Sequence, residues 1–101
     1  MRPICDAHFD HGERPVVILT RELVRPHMDR VTIAPVVSVR RGLSTEVPVG
    51  VDNGVDAGSA VDCDAVTTIP VTALGVNRGF LLPAQELSLS LALRCAFDLE
   101  S

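Results

Sequence analysis

The segment Val16-Val17-Ile18-Leu19 is the most restrictive stretch of this chain. Four consecutive apolar residues leave no polar face, so a strand built from them must be covered on both sides. Arg14-Pro15 opens the run and Thr20 closes it, after a turn signal at Asp10-His11-Gly12-Glu13. A buried central strand therefore lies near the N-terminus, and residues 2–9 before it are strand-like. Residues 20–30 read as a polar connection with one helical turn before Pro26. Residues 31–39 (VTIAPVVSV) form a second strand. Proline cannot donate to a ladder, so Pro35 predicts an edge or a bulge there.

Further strands follow at 45–51, 59–69 and 78–82, with Asp52-Asn53-Gly54 as a turn and 70–75 as a short helical turn. In the tail, Leu87, Leu89, Leu91 and Leu93 alternate as in a strand. Leu87, Leu91 and Cys95, with Ala84 and Ala92, make a helix face. The tract is longer than most strands, and Pro83 suits a first helical position, so a helix is expected. The reading is mainly β: a small, partly open, strongly bent barrel of five to six strands with a short helical turn and one C-terminal helix.

A chain of 101 residues is the size of one domain, expected over 1–101. Apolar residues are 47% of it, enough for a core, but aromatics are only Phe9, Phe80 and Phe97. The core must be aliphatic. No apolar run reaches membrane-spanning length. The N-terminus soon meets acids and has no signal-like apolar stretch, so cytoplasmic residence is expected. Cys5, Cys63 and Cys95 are odd in number and far apart in sequence, which suggests reduced, unpaired, mostly buried thiols.

The net charge of −4 hides an asymmetry. Between residues 14 and 45, Arg14, Arg21, Arg25, Arg30, Arg40 and Arg41 meet only Glu22 and Asp29. Residues 46–101 carry Arg78 and Arg94 against eight acids. Positive charge is thus concentrated in one segment and carried by arginine alone, whose planar fork suits phosphate. Arg14 enters the buried strand, where it could meet an anion with its stem on the core or pair with Glu13 or Glu46. Arg40 and Arg41 flank a turn as a solvated tip or as phosphate contacts. Cys5, His8 and His11 are spaced like metal ligands, but on a strand they fall on both faces. Asp62 and Asp64 share one strand face, best read as solvated. No nucleophile elbow, P-loop or dinucleotide fingerprint occurs.

Several segments, in order, resemble the MazF/PemK toxins. Glu13-Arg14-Pro15-Val16-Val17-Ile18-Leu19-Thr20 resembles their opening R-P-V-[VL]-[VI] strand. Residues 33–43 (IAPVVSVRRGL) resemble the second motif with its basic turn, and Thr45-Glu46-Val47-Pro48-Val49 the following E-V strand. Residues 59–69 (SAVDCDAVTTI) resemble the D-S-V strand ending in T-[IV]. The likeness covers about residues 2–98 and is nearest the short actinobacterial type.

The resemblance implies a small bent SH3-like or CcdB-like barrel and a homodimeric toxin that cuts single-stranded RNA at specific sequences. The ribose 2′-hydroxyl attacks the adjacent phosphate without metal or cofactor. It also implies a cognate antitoxin whose disordered tail covers the RNA groove. Arg14 matches the family's catalytic arginine. The catalytic threonine falls at Val37, or one residue off at Ser38, which would reach the site only if Pro35 bulges the strand. Glu13, Val37, Arg40, Arg41, Glu46, Thr67 and Thr68 fall at substrate-binding positions; Thr67 stands where the family has a basic residue. The loop before Arg14 is short, and His11 could act there as an acid or base. Two other readings stay open: a CcdB-like toxin that binds a topoisomerase, and a homologue that binds RNA or antitoxin but cuts poorly.

Overall fold

The Asp10-His11 turn closes a hairpin in which β1 (Pro3–Phe9) pairs antiparallel with β2 (Gly12–Ile18), Ile4 opposite Val17 and Phe9 opposite Gly12. Residues 1–99 are described by this computed structural model. The expected domain ends on residues 100–101, which lie outside that range. The remaining elements are β3 (Arg30–Val37), β4 (Glu46–Val49), β5 (Ser59–Asp62), β6 (Thr67–Pro70), β7 (Leu74–Phe80) and helix α1 (Pro83–Ala96). They form one antiparallel sheet in the order β4-β5-β3-β2-β1-β7, with β6 also on β3.

β3 organises this arrangement. One edge pairs with β2, Val16 opposite Pro35 and Ile18 opposite Ile33. The other edge pairs first with β6, from Arg30–Pro70 to Ile33–Thr67, and then with β5, at Val36–Val61 and Val37–Ala60. Ala34 and Pro35 fall between those two ladders. The proline, which lacks an N–H, thus sits where that edge needs no donor. β3 is a central strand, not an edge.

The single strand expected over 59–69 is two strands broken by a 3₁₀ turn at Cys63–Ala65. The Asp62 side chain accepts from the Asp64 N–H, and Cys63 N–H donates to Thr45 O. These local bonds replace the ladder there. β7 starts at Leu74, earlier than the expected 78–82, because its backbone pairs with β1 although its side chains are mostly exposed. The turn near Pro26 spans Arg25–His27 and contains the proline, which fits a first turn.

The sheet centre is buried on both faces, as the unbroken run at 16–18 requires. Ile4, Val17, Ala34, Val36, Val47, Val61 and Leu81 pack with Leu89 and Ala92 of α1. Cys5, Ala7, Val16, Ile18, Val31, Ile33 and Ile69 form a second cluster on the other face. The helix begins at Pro83 as expected, but of the expected inner face only Ala92 is buried. Leu89 and Ala92, flanked by Leu93 and Ala96, point inward, while Leu87 (66% exposed), Leu91 (55%) and Cys95 lie outside. The helix sets its rotation by its first turn. Gln85 Oε1 accepts from Leu82 N–H at 2.9 Å, and its amide pairs with the buried Asn53 amide at 2.6 and 3.0 Å.

Asn53 in turn receives Gly50 N–H and donates to Phe80 O. The turn it stands in lies directly on β7. A Cβ on Gly54, whose φ is +78°, would sit 1.9 Å from Arg78 O. Gly54→Ala is therefore expected to destabilise the domain by at least about 1–2 kcal/mol from the left-handed backbone alone, lowering Tm by roughly 5 °C or more. An unchanged thermal midpoint would show that the turn does not rest on β7.

Candidate active site

The strand period fixes where Arg14 stands. Val16 and Ile18 belong to the second cluster, so Arg14, two residues before Val16, lies on that face of β2. Val36 belongs to the first cluster, so Val37 lies on the same face as Arg14. The β2–β3 ladder ends at Val16–Pro35, and Arg14 and Val37 each lie two residues past that last pair, on the same face. Thr67 is opposite Ile33, which places it on this face as well. Arg14 is exposed and, among the described residues, has no ion pair; neither Glu13 nor Glu46 takes it. The side chain therefore presents an unneutralised guanidinium at the rim of a buried sheet.

Ser38 lies just beyond β3. The β2–β3 register is unbroken from Ile33 to Pro35, its last pair, so the ladder carries no bulge as far as the proline. Ser38 borders instead a cleft of about 170 Å³, together with Pro15, Val36, Val37, Ser59 and Arg78. Glu13 is exposed on β2, one residue from Arg14 and on the other face. Thr68 also faces away from Thr67, its hydroxyl 3.1 Å from that of Thr32.

Arg40 and Arg41, the two other arginines at expected substrate-binding positions, are bonded within the fold. Arg40 donates from Nε to Ser59 O at 2.8 Å and from Nη2 to Val49 O at 2.9 Å, tying the ends of β4 and β5. Arg41 reaches Glu46 at 3.2 Å and Asp62 at 3.3 Å. The Glu46 side chain is only 3% exposed. It also accepts the N–H groups of Arg41 and Leu43, at 2.9 and 3.2 Å. A carboxylate so placed draws the chain of residues 41–46 into a closed loop.

Sequence reasoning missed the pair Asp6–Arg78, joined at 2.9 Å across 72 positions, of which Arg78 lines the cleft. Only the β1–β7 pairing brings them together, and no local pattern signals it. The string Cys5, His8, His11 does not converge: Cys5 is buried while both histidines are exposed. Among the described residues, no three His, Cys, Asp or Glu side chains gather as metal ligands.

Burial alone would raise the Glu46 pKa, but hydrogen bonds from Arg41 N–H, Leu43 N–H and the Arg41 side chain, with its charge, outweigh it and hold the pKa below 4.5. A depressed carboxylate contributes stability that is complete above its unfolded pKa and is lost as pH falls through its folded one. Wild-type protein should thus lose stability as pH drops from about 4.5 downward. Glu46→Gln should be less stable at pH 7 and show a flatter decline across that window, read by urea midpoints against pH. Parallel profiles for the two proteins would remove Glu46 as the clamp.

Comparison with known proteins gives the family. Residues 4–94 match the family described as PemK-like, MazF-like toxin of type II toxin-antitoxin system. The chain is 53% identical to endoribonuclease MazF3 of Mycobacterium tuberculosis, over 99% of this chain and 96% of that one. It is 35% identical to probable endoribonuclease MazF5 of the same species, over 86% and 81%. The solved M. tuberculosis toxin MazF-mt6 superposes with a TM-score of 0.94 at 52% identity, covering 99% of this chain and all of that one. With the family spanning nearly the whole chain, this protein belongs to the PemK-like, MazF-like toxins of type II toxin–antitoxin systems.

Proposed function

We propose that this chain is the toxin of such a pair and an endoribonuclease acting on single-stranded RNA, with Arg14 at its centre. The observation that carries this reading is the exposed Arg14, without an ion pair among the described residues, on the same strand face as Val37 and Thr67. The substrate supplies its own nucleophile. The 2′-oxygen forms a bond to phosphorus, the bond to the 5′-oxygen breaks, and a cyclic phosphate and a 5′-hydroxyl result. The 2′-hydroxyl proton leaves to solvent and the departing oxygen takes one up. Negative charge builds on the phosphoryl oxygens, and a fixed guanidinium stabilises it without a metal or cofactor. Among the described residues, no helix is long and apolar enough to cross a membrane. The reading places the protein in the cytoplasm as a homodimer, silenced by an antitoxin whose disordered tail occupies the RNA groove.

The single test is cleavage of a long single-stranded RNA in excess EDTA. Wild type should give discrete cuts with 5′-hydroxyl ends, and Arg14→Ala should be slower by about 10²–10³-fold. Growth arrest with RNA intact would point instead to a topoisomerase-binding toxin and defeat the proposal.

Val37 favours a second reading, a toxin that binds RNA and cuts it slowly. Valine has no hydrogen-bond donor where Arg14 would share the phosphate. Val37→Thr should then raise the cleavage rate by about tenfold or more, the scale of one gained donor to a charged group. Ser38→Ala separates the two hydroxyl positions: a loss comparable to that of Arg14→Ala would make Ser38 the catalytic hydroxyl, and no loss would leave Val37 as the cause of slow turnover.

A further inference from the structure

The hairpin that carries Arg14 ends in two aromatic rings in parallel contact. Phe9 and His11 have ring centroids 5.4 Å apart and planes inclined by only 9°. Phe9 is half-buried and packs against the second cluster, which also contains Val16 and Ile33. It is opposite Gly12, whose missing side chain leaves the space across the strand open. His11 is exposed in the two-residue turn. The core thus fixes one ring, and that ring supports a second ring at the surface.

Phe9 lies on the same face of the hairpin as Ala7, whose cross-strand partner is Arg14. With a rise of about 3.3 Å per residue, Arg14 and the tip are roughly 10 Å apart along β2. A single-stranded RNA with its phosphate at Arg14 would bring a neighbouring base to the tip. Asp10 and Glu13 flank His11 and repel phosphate, so the attractive feature there is the ring face and not charge. Stacking on an aromatic face is the general way proteins hold unpaired bases, and with three phenylalanines and no Tyr or Trp this chain has few other platforms.

We propose that the Phe9–His11 stack is a nucleobase platform that holds the base next to the phosphate at Arg14. His11 is the ring in contact with RNA, and Phe9 positions it. This rests on the RNA-directed reading of the site. The test measures binding of full-length protein to a non-cleavable single-stranded RNA with 2′-fluoro riboses. His11→Ala should weaken binding about 5- to 150-fold, and His11→Phe should restore it. The defect should persist at high salt, whereas the defect of Arg14→Ala should shrink as salt rises. The chain has no tryptophan, so His11→Trp installs a sole reporter. Its emission should be quenched by this RNA and much less by the same RNA with abasic sites.

Equal binding by wild type and His11→Ala, or Trp emission indifferent to bound RNA, would overturn the platform while leaving the ribonuclease reading intact. A wild type that binds no single-stranded RNA would bring down both.

Discussion

The pairing of β3 along both edges is the constraint on which the rest depends. On one side β2 holds it in a single register from Ile33 to Pro35. On the other side it passes from β6 to β5, and the Cys63–Ala65 turn absorbs the extra residues. A strand paired on both edges and covered on both faces cannot shift by one residue without exchanging its two apolar sets. Val31 and Ile33 are held to one cluster, Ala34 and Val36 to the other. The direction of Val37 and its relation to Arg14 follow from that.

Charge is used in two ways. Arg40, Arg41 and Arg78 are tied down: the first two bind the chain after β3 to β4 and β5, and Arg78 bridges β7 to β1. The Glu46 carboxylate does this most completely, receiving two backbone N–H groups and a guanidinium in a nearly dry setting. Among the described residues, Arg14 has no such partner. In a chain with an excess of acids, an arginine left unneutralised on a strand face is a place where an anion lowers the energy of the whole.

The turn at residues 51–54 shows how polar groups can fix a helix. Asn53 is buried but satisfied through Gly50, Phe80 and Gln85. A half-satisfied amide there would cost more than an apolar residue, so the network allows one rotation of α1. That rotation leaves Leu87 and Leu91 outward.

The sequence by itself determined the strand-rich class, the buried central strand at 16–18, the hairpin turn before it and the helix from Pro83. Each rests on local periodicity, turn chemistry or proline geometry, which act over a few residues. The family motifs also singled out Arg14 and Val37, which the strand period sets on one face. Only the tertiary structure decided the rest. The helix face was misread because Leu87 and Leu91 satisfy the same period as Leu89 and Leu93, and the Asn53–Gln85 pair from distant segments makes the choice. The roles of Arg40 and Arg41 were open because their partners, Ser59, Val49 and Asp62, lie across strand pairings. The Asp6–Arg78 bridge was invisible, since local sequence carries no signal for two residues joined by one register of β1 on β7.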